Sequence, residues 1–425
     1  MGPLDAIRPT ALPALLFLVA WPLFWLVPPR WGRHFFILSG PVLVLLVDGP
    51  LIAAGLVAAI VAGYGLVETV MRVERGRPVA FAVLLSGLHV AYWACFWLPL
   101  PEAYRQVVPR PADQPAVFIL FSGIGLTFLR LVAYAWDRYR DAAKRVSLGD
   151  YLAHMLFFPQ LRHGPIERCT AQAEQLARAR ERWRPADLGW GLLRIVLTYV
   201  AVAAVVLVAL GVGWLLGVPP SGAGSGDLIR HPERLGWGGL MLVMHVPLLL
   251  LYAAEAAFAS IQLAVARCFG VVGSENFNAP LLARSPRDFW RRWNITLSSW
   301  LRDYAYIPLG GNRRHAGLNV VLVFVYCGLL HALQWRCLAW GLYTGVTLAL
   351  YAWVTQRFLP DRHAWLAARP PWQRQAILLL ARLATAHWLA IGVTIILDPE
   401  TCGLRVLARY LELLTGGAVR LCVAG

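Results

Sequence analysis

The sequence predicts an all-α, polytopic membrane protein of about ten transmembrane helices, with re-entrant or interfacial helices among them. Three observations carry that prediction. Apolar residues make up 59% of the 425 positions and the mean hydropathy is +0.58, where soluble domains average about 45–50% apolar. Several runs reach the ~20 apolar residues needed to cross the hydrocarbon core. The arginines sit in short loops between those runs, as cytoplasmic charge does in multi-spanning proteins. That distribution also disposes of the obvious meaning of a formal charge of +16. The charge is divided among loops instead of gathered on one face, so no nucleic-acid partner is expected.

The first span falls at 11–28, where Arg30 and Arg33 follow the apolar run instead of preceding it, unlike a cleavable signal. Further spans are expected at 35–48, 51–70, 79–100 and 115–136, then at 189–217, 237–266, 317–335, 337–357 and 375–397. Basic clusters after the first, third and fifth spans (Arg30 and Arg33; Arg72, Arg75 and Arg77; Arg138, Arg140, Lys144 and Arg145) place those loops in the cytoplasm. The Gly/Pro-containing turns 47–50 and 221–226 then face outward, and the long segments 137–188 and 267–316 face inward. Arg105, Arg110, Arg230 and Arg234 oppose the rule. With no repeat and no second domain, residues 1–425 read as one transmembrane domain.

Two segments are too polar to span and too apolar for plain loops: 151–166 and 285–312. Pro159, Gly164-Pro165 and Pro308-Leu-Gly-Gly311 would end short helices there. Non-helical backbone at membrane depth is tolerated where it lines a protein-enclosed cavity, so both are expected to be re-entrant or interfacial. The seven cysteines (Cys95, Cys169, Cys268, Cys327, Cys337, Cys402 and Cys422) form no C-x-x-C pair, and neither zinc nor a disulfide framework is indicated. Cys327, one helical turn before His331, reads as a small core residue.

His331 is the informative titratable group. Entering span 317–335 from the cytoplasm it lies about 14 residues deep, roughly 21 Å at 1.5 Å per residue, and an ionisable side chain there is a functional-site candidate. A neutral imidazole held in one tautomer can act as a general base. From the residue alone, a hydrogen-bonded structural histidine is the competing reading. In the preceding polar block, Asn294 offers a donor and an acceptor able to orient an imidazole or polarise a carbonyl. Arg291, Arg292 and Arg302 suit either the phosphates of a nucleotide-bearing donor or lipid headgroups. Trp293 and Ser298 flank Asn294 and join the candidate donor site. Asp303 and Tyr304 are expected to pair with the arginines, and Trp300 to be structural. His163, beside Gly164-Pro165, is the next candidate, as a tunnel-mouth group or a plain loop histidine. Glu255 in an apolar run needs a partner, for which Arg194 or Arg267 is the guess.

These residues carry a resemblance. Glu275-Asn-Phe-Asn-Ala-Pro280, followed by Phe289-Trp-Arg-Arg-Trp-Asn294 through Pro308-Leu-Gly-Gly-Asn-Arg313, resembles the signature of the membrane-bound O-acyltransferase family. It is most similar to the bacterial branch of alginate O-acetylation proteins and teichoic-acid D-alanine transferases. Phe157-Phe-Pro through Gly164-Pro-Ile-Glu-Arg168 resembles that branch's FFP…GPI…R element. Gly328-Leu-Leu-His331, with Trp335 and Trp340-Gly341, resembles its GLWHG…W…WG element, whose histidine is the family's catalytic residue. The resemblance covers about 120–345 in three ordered motifs. It departs from the branch pattern at Asn294, where a second histidine is usual, at Thr344, often His, and at Leu330 and Ala332, where the branch has Trp and Gly. These departures bear on the acceptor class more than on the reaction.

What the resemblance implies is a central tunnel walled by the re-entrant segments. An acyl thioester, acyl-coenzyme A or acyl carrier protein, is delivered from the cytoplasm as donor substrate, with no bound cofactor and no metal. The acceptor is a hydroxyl, with a cell-surface polysaccharide as the nearest branch's case and a lipid, peptide or small metabolite as alternatives. A separate extracytoplasmic transferase is compatible as partner, besides membrane lipids, and the site of action is the bacterial inner membrane. A transporter would predict inverted repeats, which the sequence lacks. A scaffold without activity would not need His331 in its motif.

Overall fold

A computed structural model of the chain describes residues 16–97, 122–141, 144–215, 231–396 and 402–416. Within them the protein is helical, with no strand. The chain divides into two compact units, the first formed by 1–196 with 258–275 and the second by 197–257 with 276–425. The predicted turn 221–226 and most of the run before residue 122 lie outside the described residues.

In order, the helices are α1 (Leu16–Leu26), α2 (Gly32–Asp48), α3 (Pro50–Met71), α4 (Arg77–Ala94), α5 (Ile124–Arg140), α6 (Leu148–Met155), α7 (Cys169–Ala177), α8 (Ala179–Arg182) and α9 (Pro185–Leu215). There follow α10 (Trp237–Cys268), α11 (Pro286–Trp290), α12 (Ile295–Leu301), α13 (Ala316–His331), α14 (Trp335–Phe358), α15 (Arg362–Ala367), α16 (Pro371–Ile396) and α17 (Cys402–Leu414). Among the described residues seven are long and apolar enough to cross a membrane. They realise the predictions at 35–48, 51–70, 79–100, 189–217, 237–266, 337–357 and 375–397. Of the remaining three, 11–28 and 115–136 begin outside the described residues: α1 is the described part of the first, and α5, the described part of the second, is amphipathic and carries Arg130 and Arg138 into the interior. α13 is apolar but shorter than the span expected at 317–335. Span 35–48 is sharply divided from 51–70 because Gly49 takes φ 92°, open to glycine, and Pro50 starts the next helix where its missing N–H costs nothing.

In the first unit one core is aromatic: Phe24, Phe36, Phe157 and Phe269 are all buried and meet edge-on or tilted. A second core holds a charge. Glu68 accepts from Arg138 (2.8 and 3.1 Å) and from the Tyr134 hydroxyl (2.8 Å), with Arg145 at 3.2 Å. Such a pair is kept buried only because each charge is met by several hydrogen bonds. Arg162 likewise pairs with the buried Asp48 at 2.7 Å. The polar segment predicted at 151–166 is built on Arg130, which is 1% exposed and donates to the carbonyls of His154, Gln160 and Pro165. His154 in turn bonds Gln172 Oε1 (2.6 Å), whose amide donates to Gln160. Burial pushes the His154 imidazole down to about 3, so it stays neutral at physiological pH. The non-helical carbonyls of the FFP…GPI element are thus satisfied from α5, which is how irregular backbone persists in an apolar surround.

The second unit is organised on the α13–α14 hairpin. A Cβ at Gly341 would lie 2.5 Å from the Phe324 carbonyl oxygen, and one at Gly345 would lie 2.7 Å from Val321 Cα. At Gly328 it would overlap the Cys337 carbonyl. Small residues at this seam let the two backbones touch, the usual means of close helix packing in lipid. α16 joins the pair through the Tyr343 hydroxyl on the Trp388 carbonyl (2.9 Å) and the Trp388 indole on Thr347 (3.0 Å).

Candidate active site

His331 is the last residue of α13 and not an interior one, so the predicted continuation of that span to 335 is corrected. Composition stays apolar through Leu333, but Ala332 is extended (φ −168°) and buried. The chain reverses over three residues, pinned by Arg336 on Gln334 (2.6 Å) and by the Cys337 and Leu338 amides on the Gln334 carbonyl. The imidazole is exposed at the turn, and its described ring contact is an edge-on approach to Trp340 at 5.9 Å and 89°. Trp340 also meets Trp290 of α11 (6.0 Å), which packs on Phe324 (4.9 Å). One tryptophan therefore joins the polar block to the histidine.

The polar block folds as two short helices around Asn294. Asn294 sits in the left-handed region (φ 40°, ψ 57°) before α12 and does not cap it with its side chain. Asparagine and histidine are both enriched among non-glycine residues at positive φ, so the departure from the branch's histidine preserves this backbone. The turn is clamped by the Glu275–Pro280 motif. The Asn278 amide donates to the Arg292 carbonyl and the Ile295 amide to the Asn276 carbonyl, both at 2.9 Å. The buried Asn276 side chain accepts from the Thr296 amide (3.2 Å) and hydroxyl (2.6 Å). Asn276 is the positioning residue that the motif string alone did not single out.

The other candidates take distinct places. Arg291 is exposed. Arg292 is committed to Asp288 (2.9 Å) and to the Asn278 carbonyl (3.3 Å). Burial alone would raise the Asp288 carboxyl, but the Arg284 amide and Arg292 guanidinium outweigh it and hold the group below its ordinary value. The stability it lends is therefore present above the unfolded value of about 3.9 and is lost as pH falls below that. Arg302 is exposed and pairs with Asp303 at 2.7 Å, as expected. Trp293 is a packing residue, stacked on Phe289 (5.3 Å) and edge-on to Phe277 (5.1 Å). Ser298 donates to the Trp293 carbonyl (3.3 Å). Trp300, 1% exposed, stacks on Tyr326. Arg292→Ala is expected to lower the melting temperature of the purified protein through about 1 kcal/mol. Arg291→Ala should lie within about 0.5 kcal/mol of wild type, and equal losses from both would contradict these assignments.

His163 belongs to the first unit. It bonds the Arg162 carbonyl (2.9 Å) and packs on Phe258, and burial pushes it down to about 4, which keeps the ring uncharged. Arg194 and Arg267, the guessed partners of Glu255, are engaged elsewhere: Arg194 with Glu275 and Ser260, Arg267 with Asp187. Cys327 is buried as expected. Sequence reasoning passed over a polar chain across three helices. His245 bonds the Met241 carbonyl (2.9 Å), His387 reaches His245 (3.4 Å) and His387 meets the Tyr410 hydroxyl (2.9 Å). Two histidines in apolar helices were the available signal, but their pairing spans 142 positions.

Among the described residues, an all-helical architecture with seven helices long and apolar enough to cross a membrane, and an ionisable side chain at a hairpin turn, defines a multi-pass membrane protein. Residues 57–396 match the model of the membrane-bound O-acyltransferase family, and the chain belongs to that family. It is 38% identical over 125 residues to a peptidoglycan O-acetyltransferase of Helicobacter pylori, covering 27% of this chain and 24% of the relative. It is 29% identical over 259 residues to a probable alginate O-acetylase of Pseudomonas aeruginosa (59% and 46%). A teichoic acid D-alanyltransferase of Bacillus subtilis is 26% identical over 300 residues (67% and 70%). The chain thus spans less than half the length of the first two of these relatives.

Proposed function

We propose that this protein is an O-acyltransferase that moves an acyl group, acetyl by default, from a cytoplasmic thioester to a hydroxyl of a cell-surface polymer. The observation that carries the reading is His331. It ends α13 with its ring at the hairpin turn, inside the family-matched region. Peptidoglycan, alginate and teichoic acid in the relatives' names support a polymeric acceptor, and their bacterial sources support the inner membrane. Acyl-coenzyme A is the donor in this reading, with an acyl carrier protein as its substitute, and an extracytoplasmic transferase is a compatible partner.

In this mechanism the neutral imidazole of His331 takes the proton of the acceptor hydroxyl as its oxygen attacks the thioester carbonyl. The C–O bond forms, the C–S bond breaks, and the proton passes to the departing thiolate, so the products are an ester and a free thiol. The Asn294 amide polarises the carbonyl and offsets charge on its oxygen. Arg291 is an exposed cation open to donor phosphates, and Arg302, exposed but paired with Asp303, is the second candidate, whereas Arg292 holds the turn. His163, neutral and bonded to the Arg162 carbonyl, is the candidate group for the tunnel mouth in this reading. Free-thiol release from acetyl-coenzyme A by detergent-purified protein tests the donor. Silence across acetyl, longer acyl and carrier-protein donors, each offered with polymer acceptors, would overturn the reading.

A further inference from the structure

In the first unit, α1 and α8 bring together hydrogen-bond donors that have no protein acceptor. The Arg180 guanidinium lies over the Phe24 ring at 4.5 Å and the Trp25 ring at 5.6 Å. Trp25 packs on Trp183 with ring centroids 4.7 Å apart. Arg180 Nε and Nη2, Trp25 Nε1 and Trp183 Nε1 are all enclosed and unbonded among the described residues. The neighbouring Trp21 shows the contrast, since its indole donates to the Cys268 carbonyl at 2.9 Å.

Arginine and tryptophan side chains donate and cannot accept. Enclosed donors without acceptors are costly, and the cost falls away when one anion serves several of them. Among the described residues no carboxylate is seen to supply that charge: Glu174 is shared between Arg178 and Arg182, and Glu181 is exposed. Burial accordingly lowers Arg180 with no acid to offset it. Arg180, Trp25 and Trp183 are each partly buried as residues while the four donor atoms themselves are closed to solvent, so the cluster lies just beneath the surface and an anion reaches the donors by a shift of the Arg180 side chain off the rings. Leu23 and Leu26, on the helix that carries Trp25, are exposed, and Arg30, Arg33, Arg178, Arg182 and Arg184 flank the cluster in sequence. An aromatic belt with adjoining cations is the composition of a membrane–water interface.

We propose that the Arg180–Trp25–Trp183 cluster is a binding site for a phosphoester anion, supplied by the headgroup of a membrane phospholipid. The guanidinium fork takes two phosphate oxygens, the indole N–H groups take others, and the exposed leucines lie along the acyl chains. This stands apart from the acyl-transfer reading and does not depend on it.

Native mass spectrometry of the full chain, titrated with phosphatidylglycerol, tests it. Wild type is expected to hold one phosphatidylglycerol more tightly than the rest, and Arg180→Gln to weaken that site about tenfold or more. Trp183→Phe keeps the ring, removes one donor and should weaken it by a smaller factor, which carries the test if Arg180→Gln does not fold. Competition with inorganic phosphate separates the sources. Persistence of the lipid against millimolar phosphate supports a headgroup site, whereas phosphate binding that Arg180→Gln abolishes, with no preferred lipid, overturns the lipid source and retains the anion site. Equal binding of both probes to wild type and both variants overturns the proposal.

Discussion

His331→Ala is expected to remove acyl transfer while leaving a folded, monodisperse protein. The functional loss follows from proton transfer: a positioned general base contributes about 10²–10⁴-fold, enough to bring thiol release from acetyl-coenzyme A near background. The structural loss should be small. The imidazole is exposed at the helix end, its described ring contact is one edge of Trp340, and the turn is held by Gln334 and Arg336. No described hydrogen bond of the turn runs through the imidazole, so its removal leaves the hairpin's own contacts in place. Thiol release by the two proteins, with melting temperature measured on the same samples, checks both halves. A folded His331→Ala protein that turns over at the wild-type rate would remove the general base from the mechanism. Asn294→Ala should lower the rate with less complete loss, and it also tests the turn, because alanine tolerates the φ of 40° poorly.

The helices that composition could predict are the ones lipid requires to be apolar throughout, and these appear where the hydropathy runs place them. Where tertiary packing decides, sequence was a weaker guide. The apolar run through Leu333 gave no sign that α13 stops at His331, because the reversal rests on the extended Ala332 and the bonds to Gln334, with α14 packed close at Gly328 and Gly341. In α5 the burial of Arg130 and Arg138 could not be read locally, because the partners that permit it, three carbonyls and Glu68, are distant in sequence. In the site, the motif strings located His331 and Asn294, but not the division of labour among the arginines. Nothing local distinguishes Arg292, four residues from Asp288 on one helical face, from the exposed Arg291, except that spacing. Asn276 was visible as part of a motif and invisible as a clamp, since its role is a pair of bonds to Thr296.

The same hairpin argument gives the second large effect. Gly328→Leu should sharply reduce the yield of folded protein, and Gly328→Ala should already lower both stability and rate. Any Cβ at 328 overlaps the Cys337 carbonyl, and a backbone atom cannot rotate away as a side chain can. The helices must therefore part, at about 1–3 kcal/mol for overpacking. α13 and α14 also carry His331 and Trp340, so the separation displaces the base from its ring contact. A shift near 1 Å can cost roughly 10²-fold in rate. Gly317→Ala, in the same helix, is the internal control, since its added Cβ meets nothing closer than Ala349 Cβ at 3.7 Å. There the gain in helix propensity, about 1 kcal/mol over glycine, should stabilise the protein or leave it unchanged. Melting temperature and thiol-release rate, measured for both alanine variants, separate the two positions. If Gly328→Ala matched Gly317→Ala on both counts, close contact at the seam would not be what holds His331 in place, and the turn at Gln334 would have to carry that role alone.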